Sequence, residues 1–171
     1  MKIKIFYDGS NVEEFCDYKN VVGVTTNISF LKKAGIKDYK KFAQKVIPLM
    51  NGAPISFQVF DPTLEGIESQ AREITSWSDN VYVKIPVVLP NGQTTVPLIK
   101  KLSEEGLKIN VTTVYTTEQI DEIFDADLSG PSIVSVFCSR INDTGVDALE
   151  IMSHANKKFA EKQNIETLWA G

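Results

Sequence analysis

The sequence predicts an α/β fold, a (β/α)8 barrel, on three observations. Segments of strand character alternate with segments of helical spacing along the chain, which argues parallel βα units rather than an antiparallel sheet. The turn after the first strand, Asp8-Gly9-Ser10-Asn11, holds one glycine and no G-x-G-x-x-G, the mark of a doubly wound nucleotide binder. Small polar groups and one lysine stand at successive strand ends: Asp8, Asn27, Gln58, Lys84, Asn110 with Thr112, and Ser135. Barrel enzymes draw active-site residues from the C-terminal ends of their strands. Side-chain alternation puts Asn110 and Thr112 on one face, and likewise Ser135 and Phe137.

Each element follows from local signals. Lys2–Tyr7 alternates like a first strand, and Asn11–Tyr18 opens with a capping residue and acidic first-turn residues, the marks of a short helix. Val21–Thr25 is the second strand. Asp38–Met50 carries helical spacing at Phe42, Val46 and Leu49, and Asn51-Gly52 ends it. Ile55–Phe60 is the third strand, and Pro62 stands near the start of the helix Thr63–Trp77, where proline is tolerated. Val81–Ile85 is the fourth strand, followed by a turn-rich insert, Leu89-Pro90-Asn91-Gly92. Val96–Glu105 is helical with Gly106 as its cap, Lys108–Thr112 is a strand, and Thr117–Phe124 is a short helix. Ser132–Phe137 is a strand, Asp147–Gln163 a long helix with Leu149, Met152 and Phe159 on one face, and Ile165–Trp169 a seventh strand.

The 171 residues suit one domain over 1–171 with a single core. A net charge of −4 without a basic block gives no pull toward nucleic acid or a membrane surface. No apolar run approaches the ~18 residues of a membrane span, and Met1-Lys2-Ile3-Lys4-Ile5 lacks the apolar stretch of a signal peptide. A cytoplasmic location is expected, with Cys16 and Cys138 as reduced thiols that have no metal-ligand spacing. His154, the one histidine, falls on a polar helical stretch and reads as a solvated surface residue.

The chain is organised around Val81-Tyr82-Val83-Lys84-Ile85-Pro86. A short apolar run bounded by turn signals reads as a strand buried on both faces. A lysine there is either a strand-end side chain snorkelling to water or a desolvated amine. Desolvation lowers an ammonium pKa and frees the amine as a Schiff-base nucleophile.

Six segments in order carry a family resemblance: Tyr7-Asp8-Gly9-Ser10-Asn11, Val24-Thr25-Thr26-Asn27-Ile28-Ser29, Val83-Lys84-Ile85-Pro86, Leu102-Ser103-Glu104-Glu105-Gly106, Asn110-Val111-Thr112 and Phe137-Cys138-Ser139-Arg140. Together they resemble the small transaldolases and fructose-6-phosphate aldolases. The resemblance covers essentially the whole chain and implies a (β/α)8 barrel with class I aldolase chemistry, no metal and no other cofactor. It implies a dihydroxyacetone unit transferred between sugar phosphates through an imine on Lys84, with Asp8 as the proton-transfer carboxylate. Asn27 and Asn110 would hold substrate hydroxyls, Thr112 and Gln58 the catalytic water, Ser135 the sugar and Arg140 its phosphate. A homo-oligomer is the expected assembly.

Several positions depart from that pattern. Gly9-Ser10 stands where the family commonly has Thr-Ala, and Ile28 where it has proline. The segment Val87–Pro97 is a few residues longer than in the best-known aldolases. Gln58 matches the aldolases, whereas transaldolases carry glutamate there. Phe137 matches the transaldolases, whereas the aldolases carry tyrosine. Family members continue past the seventh strand, so a barrel truncated at that point is expected. The alternatives to transfer are fructose-6-phosphate aldol cleavage and a catalytically silent barrel fragment acting in assembly.

Overall fold

A computed structural model of the protein describes residues 3–11, 18 and 20–171. The expected helix at Asn11–Tyr18 and Cys16 lie largely or wholly outside the described residues. Seven strands form one parallel sheet in the order β1-β2-β3-β4-β5-β6-β7. They are β1 (Ile5–Asp8), β2 (Val21–Thr25), β3 (Ile55–Gln58), β4 (Val81–Pro86), β5 (Ile109–Val114), β6 (Ser132–Val136) and β7 (Ile165–Trp169). The described helices are α1 (Ile28–Lys33), α2 (Tyr39–Val46), α3 (Leu64–Thr75), α4 (Val96–Glu104), α5 (Thr117–Asp125), α6 (Cys138–Asp143) and α7 (Ala148–Lys158), and a 3-10 turn at Ile47–Met50 prolongs α2.

The sheet is curled. A flat parallel sheet of this size would set its two edge strands roughly 29 Å apart. Instead Lys4, just before β1, places its Nζ 2.5 Å from Glu166 Oε1 on β7. Two side chains can meet across that sheet only if its edges bend toward each other. The strands therefore follow the wall of a (β/α)8 barrel whose eighth unit is absent from the described residues.

Register separates the two faces. Cα partners run Asp8↔Thr25↔Ser56↔Tyr82 and Gln58↔Lys84↔Asn110↔Ile133↔Glu166. Residues paired across parallel strands share a face, so these side chains look into the barrel. The alternate residues, among them Val24, Ile55, Phe57, Val83, Ile85, Ile109, Val111, Val134 and Val136, face the helices and are buried. The helices close that outer core with Phe42, Ile67, Ile74, Ile99, Leu102, Ile120 and Ile123. Apolar packing thus lies mainly between sheet and helices, and the barrel interior holds the polar side chains together with Ile133.

Caps set where the helices begin. Asp38, Thr63, Thr116 and Asp147 accept hydrogen bonds from first-turn amides of α2, α3, α5 and α7, each worth ~1 kcal/mol. At Thr116 the Gln119 side chain bonds back to complete a capping box. Two short helices, α1 and α6, arise where the sequence reads only as loop. The expected insert after β4 is a small hairpin: Val88 bridges Thr94, and Leu89 is buried at its stem. His154 is not simply solvated, because its Nε2 lies 2.8 Å from Asp121 Oδ1 on α5. Lys158 and His154 together hold the Asp121 carboxyl below its usual range.

Candidate active site

Lys84 is the centre of the barrel interior. Its strand is pinned on both sides, by Gln58↔Lys84 toward β3 and Lys84↔Asn110 toward β5. Its side chain is 7% exposed, and no hydrogen bond or ion pair from a described residue reaches its Nζ. Burial holds the ammonium below the usual lysine range, while the Asp8 carboxylate pulls in the opposite direction. Desolvation outweighs that pull, which favours the neutral, nucleophilic amine. The sequence alone leaves the snorkelling alternative open; burial of the whole residue decides against it.

Asp8 ends β1 and is exposed. It accepts a hydrogen bond of 2.6 Å from Thr25 Oγ1, its register partner on β2. Asn110 is fully buried, and its amide is held from both sides. Its Nδ2 donates to Ser56 Oγ at 3.1 Å, and Ser135 Oγ donates to its Oδ1 at 2.7 Å. The three side chains form a polar belt across the interior from β3 to β6. Neutral groups that satisfy one another in this way fix their own orientations.

Thr112 is the exception. Its Oγ1 is buried with no hydrogen-bond partner. A buried hydroxyl left alone costs ~1–3 kcal/mol, so an unpaired one in a polar cavity marks a place for a water or a ligand hydroxyl. The backbone beside it is strained. Thr113 has φ +59°, a conformation rare for a β-branched residue, and the β5–β6 register shifts between Val111 and Val114. Bulges of this kind re-aim side chains near sites.

The remaining expected residues stand further out. Gln58 is half-buried at the end of β3, in the same row as Lys84. Asn27 lies past the end of β2, and its Oδ1 accepts from Phe30 N at 2.9 Å, capping α1. Its Nδ2 is the part left to meet a ligand. Phe137 lies just before α6 rather than on β6, with the Tyr115 ring edge-on at 5.6 Å. Arg140 is exposed on α6 and faces Asp143 at 3.5 Å. Cys138 is buried, and burial pushes its thiol up to about 11, so it is no nucleophile. Among the described residues, no group of three or more His, Cys, Asp and Glu side chains is placed to hold a metal ion. No helix there is long and apolar enough to cross a membrane.

Sequence reasoning overlooked Thr25, Thr26 and Tyr39. Thr25 was legible as the interior neighbour of Asp8, but that needs the β1–β2 register. Tyr39 carries no motif signal, and its contact joins a helix start to a strand end.

Comparison with known proteins bears on the same residues. The family model described as transaldolase/fructose-6-phosphate aldolase matches residues 5–170. A protein named probable transaldolase from Methanococcus maripaludis is 34% identical over 161 residues, covering 92% of this chain and 71% of that protein. One of the same name from Carboxydothermus hydrogenoformans is 32% identical over 168 residues, covering 96% and 74%. A third, from Dehalococcoides mccartyi, is 32% identical over 154 residues, covering 88% and 68%.

Proposed function

The chain belongs to the transaldolase/fructose-6-phosphate aldolase family, and from that premise we propose that it transfers a dihydroxyacetone unit between sugar phosphates through an imine on Lys84. The observation that carries this is the buried, desolvated lysine between Gln58 and Asn110. In the proposed reaction the neutral amine adds to the ketose carbonyl, and loss of water leaves a protonated imine. Cleavage of the adjacent carbon–carbon bond sends its electron pair into that imine. The hydroxyl proton of the departing aldehyde passes to a base, the role assigned to Asp8. An acceptor aldehyde then takes the bound enamine, and its new hydroxyl is protonated. Water on Thr112 and Gln58 releases the product and restores the amine.

Support for the supporting roles is local. Thr112 has a buried hydroxyl to offer a water, Asp8 is held by Thr25, and the Ser56–Asn110–Ser135 belt presents fixed polar atoms to sugar hydroxyls. Arg140 and the unspent Nδ2 of Asn27 suit a phosphate and a hydroxyl at the mouth. This scheme uses no metal. One observation favours aldol cleavage of fructose 6-phosphate instead: position 58 is a neutral amide, which orients water but takes no proton.

Borohydride in the presence of fructose 6-phosphate tests the mechanism. A stable mass should appear on Lys84 and vanish in Lys84→Ala; label on another lysine would refute it. Assaying transfer to erythrose 4-phosphate beside cleavage of fructose 6-phosphate alone separates the two activities.

A further inference from the structure

We infer that Tyr39 is a positioning residue, whose hydroxyl holds the end of β3 where β2 leaves it and so fixes Gln58 relative to Lys84; this rests on the reading above.

The argument begins with the ladder. Val24 N donates to Pro54 O at 2.9 Å and Thr26 N to Ser56 O at 3.0 Å. By that spacing the next bond would run from Ile28 N to Gln58 O. It does not form, because Asn27 turns the chain and Ile28 opens α1. The β2–β3 pairing accordingly stops at Thr25↔Ser56, while β3 continues along β4 to Gln58↔Lys84. Gln58 O faces the empty side. Tyr39 Oη donates to it at 3.2 Å, so a side chain from the start of α2 takes the place of the missing rung. The Thr26 hydroxyl donates to Ser56 O at 2.8 Å, one rung earlier on the same ladder.

The phenol ring has little freedom to leave. It meets Phe57, Trp77 and Phe60 edge-on, with centroids 5.7, 5.7 and 6.1 Å away. Burial raises its pKa above the usual tyrosine value, so the hydroxyl stays a donor across the working range. One hydroxyl thus ties the start of α2 to the segment that ends in Gln58. Without it Gln58 O is left without its donor, and the end of β3 can shift.

Tyr39→Phe removes the hydroxyl and keeps the ring. Trp77→Phe is the control, since it alters the same aromatic cluster at an indole nitrogen that is buried without a partner. Amide hydrogen exchange is one readout and steady-state kinetics with borohydride trapping the other. Tyr39→Phe should speed exchange at Thr26 and Val59 about tenfold, the loss expected for one hydrogen bond. It should lower kcat for transfer by about tenfold with KM nearly unchanged and single-turnover trapping on Lys84 intact. Trp77→Phe should do none of this. A Tyr39→Phe protein that behaves like the wild type or like Trp77→Phe in exchange and in kcat overturns the inference. If the wild type itself traps nothing on Lys84, the proposed function falls, and the exchange result alone decides whether the clasp exists.

Discussion

Lys84 shows how one side chain links chemistry to stability. An unfolded lysine titrates near about 10.4, and burial lowers the folded value below that. Between the two values the unfolded chain binds more protons, so stability rises with pH through that window. Below it, the folded protein carries the full cost of a buried ammonium. Lys84→Met should therefore be more stable than the wild type at neutral pH, with the advantage shrinking as pH climbs toward the unfolded value. Urea midpoints of both proteins across neutral to alkaline pH check this, and a gap that widens with pH contradicts it. The identity of Lys84 was legible in the sequence because five neighbours in its strand are apolar or aromatic. Its desolvation was not, since exposure depends on the register that sets it between Gln58 and Asn110. The belt was hidden for the same reason. Ser56, Asn110 and Ser135 lie 54 and 25 residues apart in the chain and meet only across the interior.

At the scale of elements, strand positions were the most legible feature. Val21–Thr25 and Ile165–Trp169 fall where apolar alternation puts them. The helices α1 and α6 were not legible, because each is six residues long and lacks room for an amphipathic period. Nor was the irregularity in β5, where Thr113-Val114 continues a smooth β-rich run. Thr113 pays for its positive φ with about 1–2 kcal/mol of steric strain, and glycine would relieve it at an entropic cost of about 0.5–1 kcal/mol. Thr113→Gly should accordingly raise stability by up to about 1.5 kcal/mol. Chemical denaturation measures this. A clear loss would mean that the Thr113 hydroxyl bond to Thr112 O outweighs the strain.

At the scale of the molecule, the sheet among the described residues has two edges. Interior strands β3, β4 and β5 are paired on both sides, whereas β1 and β7 are each paired on one side among the described residues. Amides of Ile5–Asp8 and Ile165–Trp169 should lose hydrogen-exchange protection first, and those of Val83 and Val111 last. Uniform protection across the seven strands would speak against open edges. The sequence announced the barrel through its strand ends, but not how its edges are held. The Lys4–Glu166 contact is half-exposed on both sides, and such pairs contribute ~0–1 kcal/mol. It works as a weak latch on a springy wall. Salt shortens the reach of such charges to ~8 Å at physiological ionic strength and ~3 Å at 1 M. Asp8 rides on one edge strand and Lys84 on the central one, so breathing of the wall changes the distance between them. Ionic strength then becomes a control on the spacing of Asp8 and Lys84 that acts through curvature. Spin labels on β1 and β7 would register it as a distance distribution that broadens with salt.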